Sequence, residues 1–164
     1  MLALLNWFRP RHTGWSKLAT HEGVKVLFPD YPTRKCSISE SPLGKINVIH
    51  YSGKLQETTF STILSIRDYQ PSIQAEAEDY FQDWKDEFKR SMQVCNIEMF
   101  LIKESMVQGK APRCNLLFTN ADETVYTRVS LLCEGTRLVI LFACGMLQEI
   151  SGPACSECFR SIRL

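Results

Sequence analysis

Hydrophobic positions along this chain repeat with two different periods, and the places where the period changes mark out its elements. Residues 1–14 hold no sustained period and read as a loosely attached leader, partly helical. Regular patterning begins at Trp15. Val24-Lys25-Val26-Leu27-Phe28 reads as a short strand. Pro29-Asp30-Tyr31-Pro32 brings it to a stop, because proline fixes φ and lacks the N–H that a sheet ladder needs. Ile46, Val48 and His50 alternate with Asn47, Ile49 and Tyr51, the period-two signature of a strand with two faces. Gly53-Lys54 offers a turn, and the β-branched stretch from Thr58 to Arg67 reads as the antiparallel neighbour.

The period then lengthens. Gln70-Pro71-Ser72 is a helix start, with Ser72 as N-cap. Ile73, Ala77, Tyr80, Phe81, Trp84, Phe88 and Met92 recur every three or four positions and predict one apolar stripe on a helix running to about Met92. Burying each large aromatic of that stripe is worth roughly 1.5–3 kcal/mol, so this helix is expected to anchor the core. On its polar side Glu76, Asp79, Asp83 and Glu87 fall three or four apart and form one acidic ridge. A solvated face is the plain reading of such a ridge, and a docking surface for a basic partner is the sharper one.

Glu98–Ser105, Pro112–Asn120, Thr124–Cys133 and Thr136–Cys144 follow as strand candidates, separated by turn-forming Gly109-Lys110, Asn120-Ala121-Asp122 and Glu134-Gly135. Short turns between successive strands imply an antiparallel meander. The last strand is apolar on both faces, with Leu138, Ile140 and Phe142 between Val139, Leu141 and Ala143. It is therefore expected at the centre of the sheet with a helix on each side. Gly152-Pro153 opens a terminal helix whose Cys155, Cys158, Phe159 and Ile162 share one buried stripe. The expected class is α+β, an antiparallel sheet flanked by helices, in one domain over residues 15–164.

Composition changes this picture little. The 164 residues contain 45% hydrophobic and 23% charged positions, ordinary values for a folded domain. A net charge of +1 gives no global attraction to nucleic acid or anionic membrane, although Arg9, Arg11 and Lys17 cluster near the start and Arg160 and Arg163 near the end. The apolar opening Met-Leu-Ala-Leu-Leu-Asn-Trp-Phe lacks a preceding basic region and is too short to span a bilayer. Seven cysteines, an odd number with several inside apolar runs, read as reduced packing residues and favour a reducing, cytoplasmic setting.

Candidate chemistry is sparse. Cys155-Ser156-Glu157-Cys158 is a CxxC near a helix start, where a redox thiol would have its thiolate stabilised, but both cysteines fall on the apolar stripe and read first as core. Zinc needs four ligands, and a lone CxxC with the scattered His12, His21 and His50 supplies no second half-site. A Cys–His pair brought together by folding stays open, with His50 on its strand reading first as structural. No GxSxG, HExxH or glycine-rich phosphate loop occurs. No catalytic residue, cofactor or metal ligand is therefore assigned.

Two segments carry a family resemblance. Val26-Leu27-Phe28-Pro29-Asp30-Tyr31-Pro32 resembles the V-x-F-P-x-x-P opening of the PsbP-like superfamily, which includes Ran-binding Mog-type proteins, photosystem PsbP proteins and DcrB-like bacterial proteins. The ending Cys158-Phe159-Arg160-Ser161-Ile162-Arg163-Leu164 is similar to that family's terminal helix and its F-x-x-S-F close, with isoleucine here in the last place. Between them the order of strands, long helix and meander also matches, from Trp15 to Leu164. The resemblance implies an α/β/α sandwich and an accessory role exerted through a protein partner. Bacterial relatives are commonly exported, and this chain shows no matching export signal. The expected function is a non-enzymatic interaction domain that uses the ridge Glu76, Asp79, Asp83 and Glu87, with no nucleic acid and no transmembrane span. The alternative is a thiol-dependent enzyme or redox protein using Cys155 and Cys158.

Overall fold

The computed structural model of the protein describes residues 13–41, 44–55, 58–69, 81–94, 99–108 and 112–164. Through them run β1 (Trp15–Ala19), β2 (Lys25–Pro29), β3 (Thr33–Ser41), β4 (Gly44–Lys54), β5 (Ser61–Asp68), α1 (Phe81–Val94), β6 (Met99–Val107), β7 (Arg113–Asn120), β8 (Tyr126–Glu134), β9 (Arg137–Gly145), α2 (Leu147–Ile150) and α3 (Pro153–Ser161). Strands β3 to β9 make one seven-stranded sheet in the order β3-β4-β5-β9-β8-β7-β6, and every pairing in it is antiparallel. Strands β1 and β2 stand apart as a two-stranded antiparallel ribbon.

Side chains alternate between the two faces of a sheet, so each face collects its own core. One face gathers Val48, Leu116, Phe118, Val129, Leu131 and Ile140 under α1, which contributes Phe81 and Phe88. The Phe88 and Phe118 rings meet at 6.4 Å, tilted as aromatic pairs prefer. The other face gathers Leu64, Ile66, Val139 and Leu141 under the ribbon residues Trp15, Val26 and Phe28 and the α3 residues Cys155, Cys158 and Phe159. Polar contacts fasten the ribbon at its turn. Glu22 receives hydrogen bonds from Arg34 (2.9 Å) and from the Tyr51 hydroxyl (3.0 Å), which ties the β1–β2 turn to β3 and β4.

This architecture corrects the expectation of a helix-flanked α/β/α sandwich. The protein is mostly β, with one large antiparallel sheet, and helices do not layer both of its faces. The physical reason lies in the opening segment. Val26, Leu27 and Phe28 are all buried, yet they pair with Trp15–Ala19 and lie across the sheet instead of joining it. The ribbon takes area that a helix layer would need, and the nine residues of α3 and four of α2 cover only what is left.

Other elements fall as the periodicity predicts. Strand β9 is fourth in the seven-strand order, and Leu138, Val139, Ile140 and Leu141 are all buried. The stripe Cys155, Cys158, Phe159 and Ile162 is buried as expected. The predicted long helix is described from Phe81 onward as α1, and its expected start at Ser72 lies outside the described residues. Strand β3 was not foreseen. Residues 33–40 are exposed throughout, so this edge strand lacks the apolar alternation that would announce it. It is defined by its pairing with β4, from Thr33 opposite Ser52 to Ser41 opposite Gly44.

Strand β6, at the opposite edge, has a bulge. Leu101 pairs with Phe118 and Lys103 with Leu117, so Ile102 is an extra residue. After it the alternation of β6 shifts by one: Lys103 turns to the ribbon-and-α3 face and Glu104 to the face under α1.

Candidate functional site: a basic cleft beside the terminal helices

The apolar cover of the ribbon-and-α3 face stops short of the β6 edge, and there the strands change character. On β7, Arg113, Asn115 and Leu117 alternate with buried Cys114, Leu116 and Phe118. On β8, Arg128 and Ser130 alternate with buried Val129 and Leu131. Register brings them into rows. Lys103, Leu117 and Arg128 lie side by side, and Ser105, Asn115 and Ser130 form the next row. Of these, Lys103, Ser105, Asn115, Leu117 and Arg128 floor a cleft of about 260 Å³ whose wall is Leu147, Ile150 and Ser151.

The wall is held by local hydrogen bonds. Glu149 accepts from the Met146 backbone N–H (2.8 Å) and the Thr59 hydroxyl (2.7 Å), fixing the start of α2 against the β5 end of the sheet. Pro153 then opens α3 at its first turn, where a missing N–H costs nothing. Helix α3 is locked to the floor by two arginines. The Arg128 guanidinium carbon sits 4.5 Å from the centroid of the Phe159 ring. Arg113 donates to the Phe159 carbonyl (2.5 Å) and to Ser130 Oγ (3.1 Å).

Positive charge is concentrated here. Burial first, and then the charges of Arg163 and Arg128, pull the Arg113 guanidinium below the usual arginine value. Among the described residues no ion pair joins Lys103, Arg113 or Arg128 to a carboxylate. Asn115 Oδ1 is buried at the floor and accepts no hydrogen bond. Cations together with an unpaired acceptor suit a ligand that presents both a carboxylate and an N–H.

None of these residues was singled out from the sequence. Their signal was the alternation in Arg113-Cys114-Asn115-Leu116-Leu117 and Arg128-Val129-Ser130-Leu131, whose polar halves meet only once three strands are in register. Of the acidic ridge, Glu76 and Asp79 lie outside the described residues, and Asp83 and Glu87 are described only by their backbone in α1. Cys155 and Cys158 are buried at 1% and 0% exposure. Burial pushes the Cys155 thiol up to about 11 against the opposing charge of Arg128, and pushes Cys158 up further. That is the reverse of what an attacking thiolate needs. His50 faces α1 on the other side of the sheet, His21 is exposed at the ribbon turn, and His12 lies outside the described residues. Among the described residues no three His, Cys, Asp or Glu side chains converge as a metal site, and no helix is long and apolar enough to cross a membrane.

No protein-family model matches the chain, and no curated protein matches it in sequence. Among solved structures it is similar to cyanobacterial PsbP (CyanoP) from Synechocystis sp. PCC 6803, solved in solution, with a TM-score of 0.59 and 11% sequence identity. The match covers 93% of this chain and 94% of that one. The protein therefore has a PsbP-like fold, as the resemblance of its opening and closing segments implied. At this identity the likeness is one of fold.

Proposed function

We propose that this PsbP-like domain is a non-catalytic interaction module, and that an acidic segment of a partner protein docks in its basic cleft. The observation that carries the reading is that Lys103 and Arg128 line the same cleft as the unpaired Asn115 Oδ1, without a carboxylate partner among the described residues. A peptide segment with Asp or Glu brings a carboxylate for the cations and a backbone N–H for Asn115. Leu117, Leu147 and Ile150 add apolar area for the stem of the incoming side chain.

The test uses Lys103→Glu, which changes an exposed side chain, beside Lys103→Glu/Arg128→Gln. Affinity capture from native lysate compares each with wild type, and thermal melts confirm the fold. A partner held by wild type, weakened by Lys103→Glu and lost from the double variant supports the reading. Its affinity is expected to fall steeply with salt, since cleft and partner would carry opposite charge. A partner retained by a folded double variant excludes the cleft.

A further inference from the structure

A second pocket lies on the opposite face of the sheet, between α1 and strands β4, β5 and β9. It has a volume of about 170 Å³. Its floor is set by register: His50, Ser65 and Ile140 are paired across three strands, and Arg67 stands two residues along from Ser65 on the same face. Phe142 continues the floor and Phe88 of α1 closes one side.

Two polar atoms of this pocket are unmatched. Ser65 is 6% exposed, and its Oγ has no hydrogen-bond partner. Arg67 Nε is buried and equally without one. Among the described residues Arg67 makes no ion pair. Leaving a buried hydroxyl and a guanidinium N–H unpaired is destabilising, more so for the charged group. Burial first, and then the Arg67 charge, pull His50 below the ordinary imidazole value, so at neutral pH it is uncharged and still has one N–H to donate. The remaining surface is hydrocarbon.

We infer that this pocket is a binding site for a small carboxylate with an apolar body, the carboxylate held by Arg67 and Ser65 and the body packed on Ile140, Phe142 and Phe88. Arg67 supplies the charge complement, and Ser65 and His50 donate to the second oxygen. An apolar cavity of about 150 Å³ accepts a benzene ring, so a pocket of this size suits a single ring or a short branched chain. The site is separate from the basic cleft, which lies on the other face of the sheet.

The experiment is a titration of the full chain with benzoate and, in parallel, with the neutral isostere benzamide, followed by backbone-amide NMR shifts. The expected result is saturable shifts around His50, Ser65 and Ile140, with benzamide bound about tenfold more weakly than benzoate. Arg67→Met is expected to weaken benzoate by about tenfold or more, and Ser65→Ala by about threefold. Equal affinity for the two probes, an unchanged affinity in Arg67→Met, or saturable shifts confined to Asn115 and Arg128 would overturn the proposal. So would the absence of saturable shifts up to about 20 mM benzoate, a concentration well within reach of even weak single-ring ligands. If Arg67→Met does not fold, the benzoate–benzamide comparison on wild type decides alone.

Discussion

The Arg128 guanidinium carbon sits over the Phe159 ring, 4.5 Å from its centroid, so one cation serves both the basic cleft and the attachment of the terminal helix. Phe159 is 1% exposed, and its carbonyl also accepts from Arg113. Phe159→Ala should cost about 3–5 kcal/mol, the range for a large buried aromatic. Denaturant unfolding measures it. Phe159→Leu, which refills most of the volume, should recover the larger part of the loss.

Glu104 holds two lysines of α1, with Lys85 Nζ at 2.9 Å and Lys89 Nζ at 2.5 Å. Hydrogen bonds from Lys89 and then Lys85 keep its carboxyl below the ordinary 4.5. Its contribution to stability is therefore complete above pH 4.5 and is lost as pH falls through the lowered value. The bond to Glu104 raises Lys85 above the ordinary 10.5, so that part is complete below 10.5 and is lost as pH rises through the raised value. Glu104→Gln should flatten both limbs of a stability–pH curve. Because Lys85 is 7% exposed and would lose its carboxylate, the same change should cost about 1–3 kcal/mol at neutral pH.

Thiol reactivity should sort by burial. Cys36 is exposed on β3, whereas Cys114, Cys133, Cys155 and Cys158 are buried. Burial raises the thiol values of Cys114, Cys155 and Cys158, leaving little thiolate at pH 8. Alkylation followed by peptide mapping should label Cys36 within minutes and the buried four only in denaturant. Fast native labelling of Cys155 would revive the redox reading of the CxxC.

The ribbon sits close on the sheet at Gly53. A Cβ there would lie 2.9 Å from Phe28 Cε1, nearer than real Cβ atoms come, and 3.0 Å from Pro29 Cβ, a tight contact. Gly53→Ala should push the ribbon outward and cost about 1–3 kcal/mol, as overpacking does. Its signature would be faster amide exchange in β1 and β2 than in β8 and β9.

These predictions separate what was legible in the chain from what was not. Strand β9 and the α3 stripe could be read because each is buried in a pattern that its own residues spell out. Strand β3 could not, since its pairing is a backbone matter and its residues from Thr33 to Glu40 are all exposed, without an apolar alternation. Val24–Phe28 was legible as a strand, but its partner was not: a run of apolar residues does not say whether it joins a sheet or lies across one. The cleft was the least legible of all. Asn115 and Arg128 are ordinary polar halves of alternating strands, and they become a site only because β7 and β8 pair with Leu117 opposite Arg128 and Asn115 opposite Ser130. His50 was noticed alone, whereas its meaning depends on Ser65 across the ladder and Arg67 beside it.

The extra residue at Ile102 sets the phase of strand β6. If pairing ran on without the bulge, Ile102 would face Leu117, Lys103 would point toward Lys85 and Lys89, and Glu104 would point into the cleft beside Asn115. Both sides of the sheet would exchange the sign of a charge at once. One residue of slack in an edge strand thus fixes the polarity of two surfaces, holding a cation over the cleft and an anion under the helix with a single geometric offset.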